Sequence, residues 1–237
     1  MTKYTKYMKR LSTTRKNVKT KTKIKTRTRT KTNRTSSKPE ISNYLVYKHP
    51  GLYQKQNEYG LGTYTKSFIP SGTIILKERP HNLTHITKDD PTYIFQLIKH
   101  LLATRKKEFL SMVPESVEKG EDYNNIRYCH ETFLPELSED EMKVYYTKYK
   151  RNAFKFGVNP GFLFYGTRLN HSCDPNVKYS PCDKNIQMVF ETTRDIEPNE
   201  EVFDSYINYN EPKTIRQREL LRRYGFTCGC KKCLDET

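Results

Sequence analysis

The sequence predicts an α+β domain preceded by a basic tail, and three observations carry that expectation. Short alternating segments punctuated by Gly and Pro stand at both ends of the body, two stretches of helical period lie between them, and charge is segregated at the start. Of the 43 Lys and Arg, 15 fall between Met1 and Lys38, where there is no Asp or Glu. The remaining 28 face all 27 acidic residues, so the rest of the 237-residue chain is close to neutral.

The tail, residues 1–40, is typified by "VKTKTKIKTRTRTKTNRTSSKP". It has few apolar groups to offset its ordering entropy and strong self-repulsion, so disorder is expected. Three roles fit such a segment: a solvated solubility tail, an arm over residues 1–38 that seeks nucleic-acid phosphates and doubles as a nuclear address, or a transit peptide. The last would need the apolar face of an amphipathic helix, which these residues lack. An arm that neutralises about 6 to 10 phosphates would lose roughly 10³- to 10⁵-fold in affinity between 50 and 200 mM salt.

In the body, "YLVYK" and "TIILKE" alternate like strands, with "EYGLG" and "IPSG" as tight turns. "DPTYIFQLIKHLLATRKKEFL" changes to helical period, with Asp90 and Pro91 as start signals and Ile94, Leu97, Ile98, Leu101 and Leu102 on one face. After a polar connection, "SEDEMKVYYTKYKRNAF" opens with Ser138 and Glu141 in capping-box spacing. Its stripe of Met142, Tyr145, Tyr146 and Tyr149 is read as packing. Strand patterns return in "FLFY", "NVKYS", "IQMVFETT" and "EVFDSYI", with "EPNEE" as a turn. A last helix, "TIRQRELLRRYGF", starts after Pro212 and stops near Gly225 as its C-cap. The expected layout is a tail over 1–40, a domain over 41–227 with a helical insert at about 81–155, and a cysteine-rich end over 228–237.

The chain has no run of about 18 apolar residues and no apolar signal core at its start, which argues against membrane spanning and secretion. The six cysteines are therefore expected in a reducing compartment, where clustered thiols more often hold metal than form disulfides. Cys228, Cys230 and Cys233 form C-x-C-x-x-C, which puts three thiolates within reach of one ion. A closed zinc site needs a fourth ligand. Cys173, in a turn beside Pro175, is the leading candidate, and Cys129 and Cys182 compete with it. Such a site would contribute on the order of 10 kcal/mol.

Four segments, "YGLGTYTKSFIPSGTIILKERP", "RLNHSCDPNV", "EEVFDSYINY" and "YGFTCGCKKC", taken in that order over about Tyr44 to Cys233, resemble the SET-domain protein lysine methyltransferases, closest to the branch that also carries a MYND finger. The resemblance implies a SET-type fold of small sheets in which the Asn-His-Ser-Cys segment threads beneath the loop of a catalytic tyrosine in a knot-like crossing. It implies that S-adenosylmethionine lies against Gly60, Leu61, Gly62, Asn170, His171 and Phe226. It further implies that Tyr206 is the catalytic tyrosine, that Tyr224 walls a lysine channel, and that Cys173 completes a post-SET-like Zn²⁺ site with Cys228, Cys230 and Cys233.

The chain departs from that branch in two ways. Between Pro80 and Phe162 it offers only Cys129, His81, His85, His100 and His130, so no MYND finger is expected, and the branch's long C-terminal helical domain is not expected either. The implied partner is a protein lysine, with histones or other basic DNA-associated proteins as the substrate class, and nuclear or chromatin association is implied with it. Two other classes remain open: a SET-fold chromatin or nucleic-acid-binding module that methylates nothing, and a zinc-stabilised packaging protein suggested by the tail.

Overall fold

The computed structural model describes residues 44–57, 60–86, 88–90, 92–116, 127–156, 159–182 and 186–236. The expectations for the tail, for Pro91 and for the side chain of Cys129 lie outside those residues. Strands β1 (Leu45–Lys48), β2 (Leu52–Asn57), β3 (Gly60–Thr65) and β4 (Ile74–Glu78) come first. β2 and β3 pair in an antiparallel hairpin from Leu52 opposite Thr65 to Asn57 opposite Gly60. "EYGLG" is therefore not simply a turn, because Gly60, Leu61 and Gly62 are strand residues. Gly60 has a φ of +115°, open to glycine and strained for other residues. "IPSG" does turn, with Gly72 at φ +77°.

The helical middle holds α1 (Tyr93–Thr104), α2 (Lys106–Leu110), α3 (Arg127–Phe133) and α4 (Glu139–Asn152). The single helix expected over 90–110 is two, because Arg105 leaves helical geometry at φ −139°, ψ 37°. Its guanidinium turns inward, 2.9 Å from Glu108 and 4.5 Å above the Phe164 ring. α1 begins after Thr92, whose N–H and hydroxyl both donate to Asp90, so the start signal acts one residue further along. α3 lies where the sequence suggested only a polar connection. α4 carries both bonds of the capping box between Ser138 and Glu141.

Next come β5 (Ala153–Phe154), β6 (Gly161–Phe162), a 3-10 turn at Gly166–Arg168, β7 (Asn170–His171), β8 (Val177–Cys182), β9 (Gln187–Thr192), β10 (Phe203–Asp204), α5 (Lys213–Tyr224) and α6 (Lys231–Asp235). Two expected strands are shorter than their apolar patterns. "FLFY" pairs only as far as Phe162, because the next amides are claimed by a side chain: the N–H groups of Phe164, Tyr165 and Gly166 all donate to the buried carboxyl of Glu78, at 2.6 to 3.2 Å. In "EVFDSYI" only Phe203 and Asp204 form a strand, with Glu201 in an isolated bridge to Tyr64. α5 stops at Gly225, whose φ of +79° lets its N–H close on the carbonyls of Leu220 and Leu221. α6 had no counterpart in the sequence reading.

One antiparallel sheet in the order β1-β4-β9-β8 carries the strand core, which includes Ile75, Leu76, Leu163, Met188 and Phe190. The helices build a second core around Leu97, Ile98, Leu101, Phe109, Met142 and Tyr149. Phe162 and Phe164 belong to the helical core and Leu163 to the strand core, so one short segment serves both. Successive side chains of extended backbone point to opposite faces, which makes this possible. Among the described residues no helix is long and apolar enough to cross a membrane.

Candidate active site and metal centre

β7 and β10 form a parallel pair of two residues each, Asn170 opposite Phe203 and His171 opposite Asp204. So short a ladder needs support. Ser172 N donates to Asp204 O (2.9 Å), Tyr206 N to His171 Nδ1 (3.1 Å), Phe203 N to Asn176 Oδ1 (2.8 Å) and Asn176 Nδ2 to Glu201 O (2.8 Å). Residues 170–176 and 201–206, distant in sequence, are thereby fastened across one another in both directions. Asn176 is fully buried in this crossing and bonds two residues of the opposing segment, Glu201 and Phe203.

A cavity of about 720 Å³ opens beside the crossing, within the range that holds small molecules. Gly60, Leu61, Asn170, His171, Tyr206, Tyr224 and Phe226 all line it. Gly62 stands one layer back, fully buried, where an added Cβ would sit 2.2 Å from Glu201 Oε1. The sequence reading missed the contribution of the helical region, which supplies Ser111, Met112, Val113 and Arg151 to the wall. Asn152 of α4 lines the cavity too, and Lys148 of α4 holds that wall from behind. Lys148 Nζ donates to the carbonyls of Leu110 and Met112, and Asn152 Nδ2 donates to Val113 O at 3.0 Å. Nothing in the linear pattern announces this, since a buried Lys148 on a helix reads as a solvated residue until its carbonyl partners are placed.

The aromatic groups are stacked by the crossing. The Tyr206 and Tyr224 rings lie 5.0 Å apart at 44°, and His171 lies 5.3 Å from Tyr206 and 6.0 Å from Phe226. Tyr206 Oη donates to Leu169 O (2.9 Å) and Tyr224 Oη to Tyr206 O (3.2 Å). Burial, then the charge of Asp204, raises the Tyr206 phenol well above its ordinary range, so it is a neutral donor. Burial, with Arg216 nearby, draws His171 down to about 4. The imidazole is neutral, and because Nδ1 accepts from Tyr206, its proton belongs on Nε2, 3.3 Å from Cys173 Sγ.

That sulfur belongs to a cluster of four thiols that could hold a metal ion. The Sγ atoms of Cys173, Cys228, Cys230 and Cys233 all lie within 4.8 Å of one another, and among the described residues this is the one group placed to hold an ion. Four thiolates about 2.3 Å from a central ion stand roughly 3.8 Å apart in a tetrahedron, so the four residues fit zinc. Cys182 lies outside the cluster, in β8. Gln217 of α5 fixes the cysteine loop through both amide atoms, donating to Cys228 O (2.7 Å) and accepting from Cys228 N (2.8 Å). Arg216, 2% exposed, donates to Cys233 Sγ (3.6 Å) and Glu236 Oε2 (2.7 Å) and so places a positive charge behind the sulfurs. Burial pushes the Cys173 thiol up, whereas Cys230, despite burial, is drawn down to about 7 by the backbone amides of Cys233 and Cys173.

Comparison with known proteins gives matching results. The model of the SET domain matches residues 60–207. A protein named as a putative SET domain-containing protein from Acanthamoeba polyphaga mimivirus is 30% identical over 190 residues, covering 74% of this chain and 74% of that protein. The histone-lysine N-methyltransferase set5 of Schizosaccharomyces pombe is 31% identical over 75% of this chain, and the match spans 48% of that protein. The chain thus spans about half the length of this fungal relative. The solved SET domain of LSMT bound to lysine and AdoHcy superposes with a TM-score of 0.56 over 78% of this chain and 54% of that one, at 13% identity, a likeness of fold.

Proposed function

Because the chain belongs to the SET-domain family, we propose that it is a protein-lysine N-methyltransferase that uses S-adenosylmethionine as methyl donor. The carrying observation is the cavity at the crossing, where Asn170, His171 and Phe226 share a wall with the paired rings of Tyr206 and Tyr224. Bound there, S-adenosylmethionine would supply a methyl group on a positively charged sulfur. The nitrogen lone pair of lysine forms the new C–N bond as the C–S bond breaks, the sulfur keeps the electron pair, and the extra proton on nitrogen leaves to solvent.

A lysine amine with a pKa near 10.4 is free in only about one molecule in 10³ at neutral pH. Aromatic walls that exclude water disfavour the ammonium form, as does a sulfonium charge close by. The Tyr206 and Tyr224 rings supply those walls, and the neutral Tyr206 hydroxyl offers a donor to an incoming polar group once it exchanges its Leu169 carbonyl partner. The remaining work is alignment of the amine with the methyl carbon, which positioned walls accomplish. Asn170, His171, Leu61 and Gly60 would hold the donor, with Gly62 behind them, and Cys173, Cys228, Cys230 and Cys233 would hold structural Zn²⁺ at the cavity edge.

The substrate reading is a histone or another basic DNA-associated protein, in keeping with the fungal relative named as a histone-lysine methyltransferase. Residues 1–38 would then tether the enzyme to nucleic acid at chromatin. The test incubates the full chain with S-adenosylmethionine and histones, free and in nucleosomes, and maps mass shifts. Methylated lysine is expected on one histone class, with Tyr206→Phe reducing the rate roughly 10²-fold or more while donor binding persists. No lysine methylation with any histone would overturn the substrate reading; a Tyr206→Phe rate equal to the parent would overturn the role of Tyr206.

A further inference from the structure

Glu201 is outside the cavity lining, yet donors from three parts of the chain converge on its carboxylate. Asn170 Nδ2 donates to Oε1 at 2.7 Å, Tyr64 Oη donates to Oε2 at 2.9 Å, and Asn57 Nδ2 reaches both oxygens at 3.0 and 3.2 Å. A carboxylate only accepts, so the Asn170 amide must turn its NH₂ toward Glu201; the flipped amide would set two oxygens 2.7 Å apart. Its carbonyl Oδ1 is thereby left for the cavity that Asn170 lines.

Gly62 belongs to the same arrangement. A Cβ there would lie 2.2 Å from Glu201 Oε1 and 3.1 Å from Asn170 Nδ2, so the carboxylate occupies the space that any other residue would fill. The glycine of β3, the asparagine of β7 and the glutamate before β10 are one device. We propose that Glu201 is a positioning residue for the donor site: it orients Asn170 so that an amide oxygen, polarised by a carboxylate behind it, faces the ligand and selects for a cationic amine. This rests on the reading of the cavity as an S-adenosylmethionine site. The donor carries one such group, its α-ammonium, and a charge-assisted bond to it outweighs those its hydroxyls could make.

The experiment measures binding of S-adenosylhomocysteine and of its analogue lacking the α-amine, by calorimetry, to the full chain, to Glu201→Gln and to Gly62→Ala. The parent is expected to favour the amine-bearing ligand by about tenfold or more, the value of one charged hydrogen bond. Both variants should lose that preference, weakening toward the amine-bearing ligand more than toward the deaminated analogue. Adding Gly62→Ala to Glu201→Ala should cost far less than Gly62→Ala alone, since the severe clash with the carboxylate is then gone. Should Glu201→Gln not fold, the Gly62→Ala comparison alone decides. Equal weakening toward both ligands would reduce Glu201 to a structural role and overturn the proposal, as would an unchanged preference. If the parent binds neither ligand, the functional reading itself fails and takes this one with it.

Discussion

The helical middle and the C-terminal end hold together by different means. Around α1 and α4 fifteen side chains are buried together, with rings interlocked, as where Phe109 meets Tyr145 at 5.7 Å and Phe162 at 5.6 Å. Around α5 and α6 the buried apolar cluster is Leu220 and two cysteines, with aromatic residues only partly covered. The first region has the apolar surface to be stabilised by burial, whereas the second has little, and a metal ion held by its four thiols would supply what burial does not. The cavity lies where they meet, taking Met112 and Val113 from one and Tyr224 and Phe226 from the other. One wall of the site thus rests on packing, and the other is the wall that metal coordination would hold.

Metal removal should break the comparison most visibly. With a structural zinc contribution of order 10 kcal/mol at stake, chelation or Cys173→Ser is expected to release residues 213–236 while the helical core stays folded. Hydrogen exchange by mass spectrometry would show protection lost in α5 and retained in α1 and α4, and zinc content would fall from one per chain to none. Uniform loss of protection would mean that the two regions are not separately held.

A substitution in the packed half should do the converse. Phe109→Ala removes a fully buried ring from among Tyr145 and Phe162, and is expected to cost about 3 to 5 kcal/mol in denaturant unfolding. Zinc stoichiometry should be unchanged. A cost below about 1 kcal/mol would show that the helical core collapses around the gap, and that burial there is less decisive than the contact geometry indicates.

The same contrast explains what could be read from the sequence. The packed half is periodic, so α1 and α4 were legible from apolar spacing, and the capping box of α4 was legible from Ser138 and Glu141 alone. The four cysteines were legible as chemistry, because three of them cluster in the chain and Cys173 sits in a motif resembling a known family. What escaped were decisions made by distant partners. Arg105 breaks a continuous helical pattern to reach Phe164; Glu78 takes the amides that would have extended β6; Lys148 leaves the solvated face to hold Met112. Glu201 lay in a segment read as a turn, and only the fold brings Asn170 and Tyr64 to it. Local periodicity carries no record of such long-range hydrogen bonds.

The joint between the two cores offers the smallest and most discriminating prediction. Glu78 and His81 are each about 1% exposed, on the stretch that leads from the sheet into the helices, with Arg105 close to both. Burial pushes the Glu78 carboxyl up to about 7, against the pull of the Gly166, Tyr165 and Phe164 amides and of Arg105. Burial, with Arg105, draws His81 down to about 3. The folded state therefore holds a proton on Glu78 that the unfolded chain releases, and stability from this group falls as pH rises from its ordinary 4.5 toward 7. His81 has the opposite sign: the unfolded chain takes up a proton below its ordinary 6.5 that the folded ring refuses, so stability falls as pH drops from there toward 3. Between about pH 4.5 and 6.5 the two slopes oppose each other, each amounting to about 2 kcal/mol across that window. Relative to the parent, Glu78→Gln should grow more stable as pH rises through the window, and His81→Phe less so, both read from urea midpoints. Parallel pH profiles for parent and both variants would mean that neither group changes its proton affinity on folding.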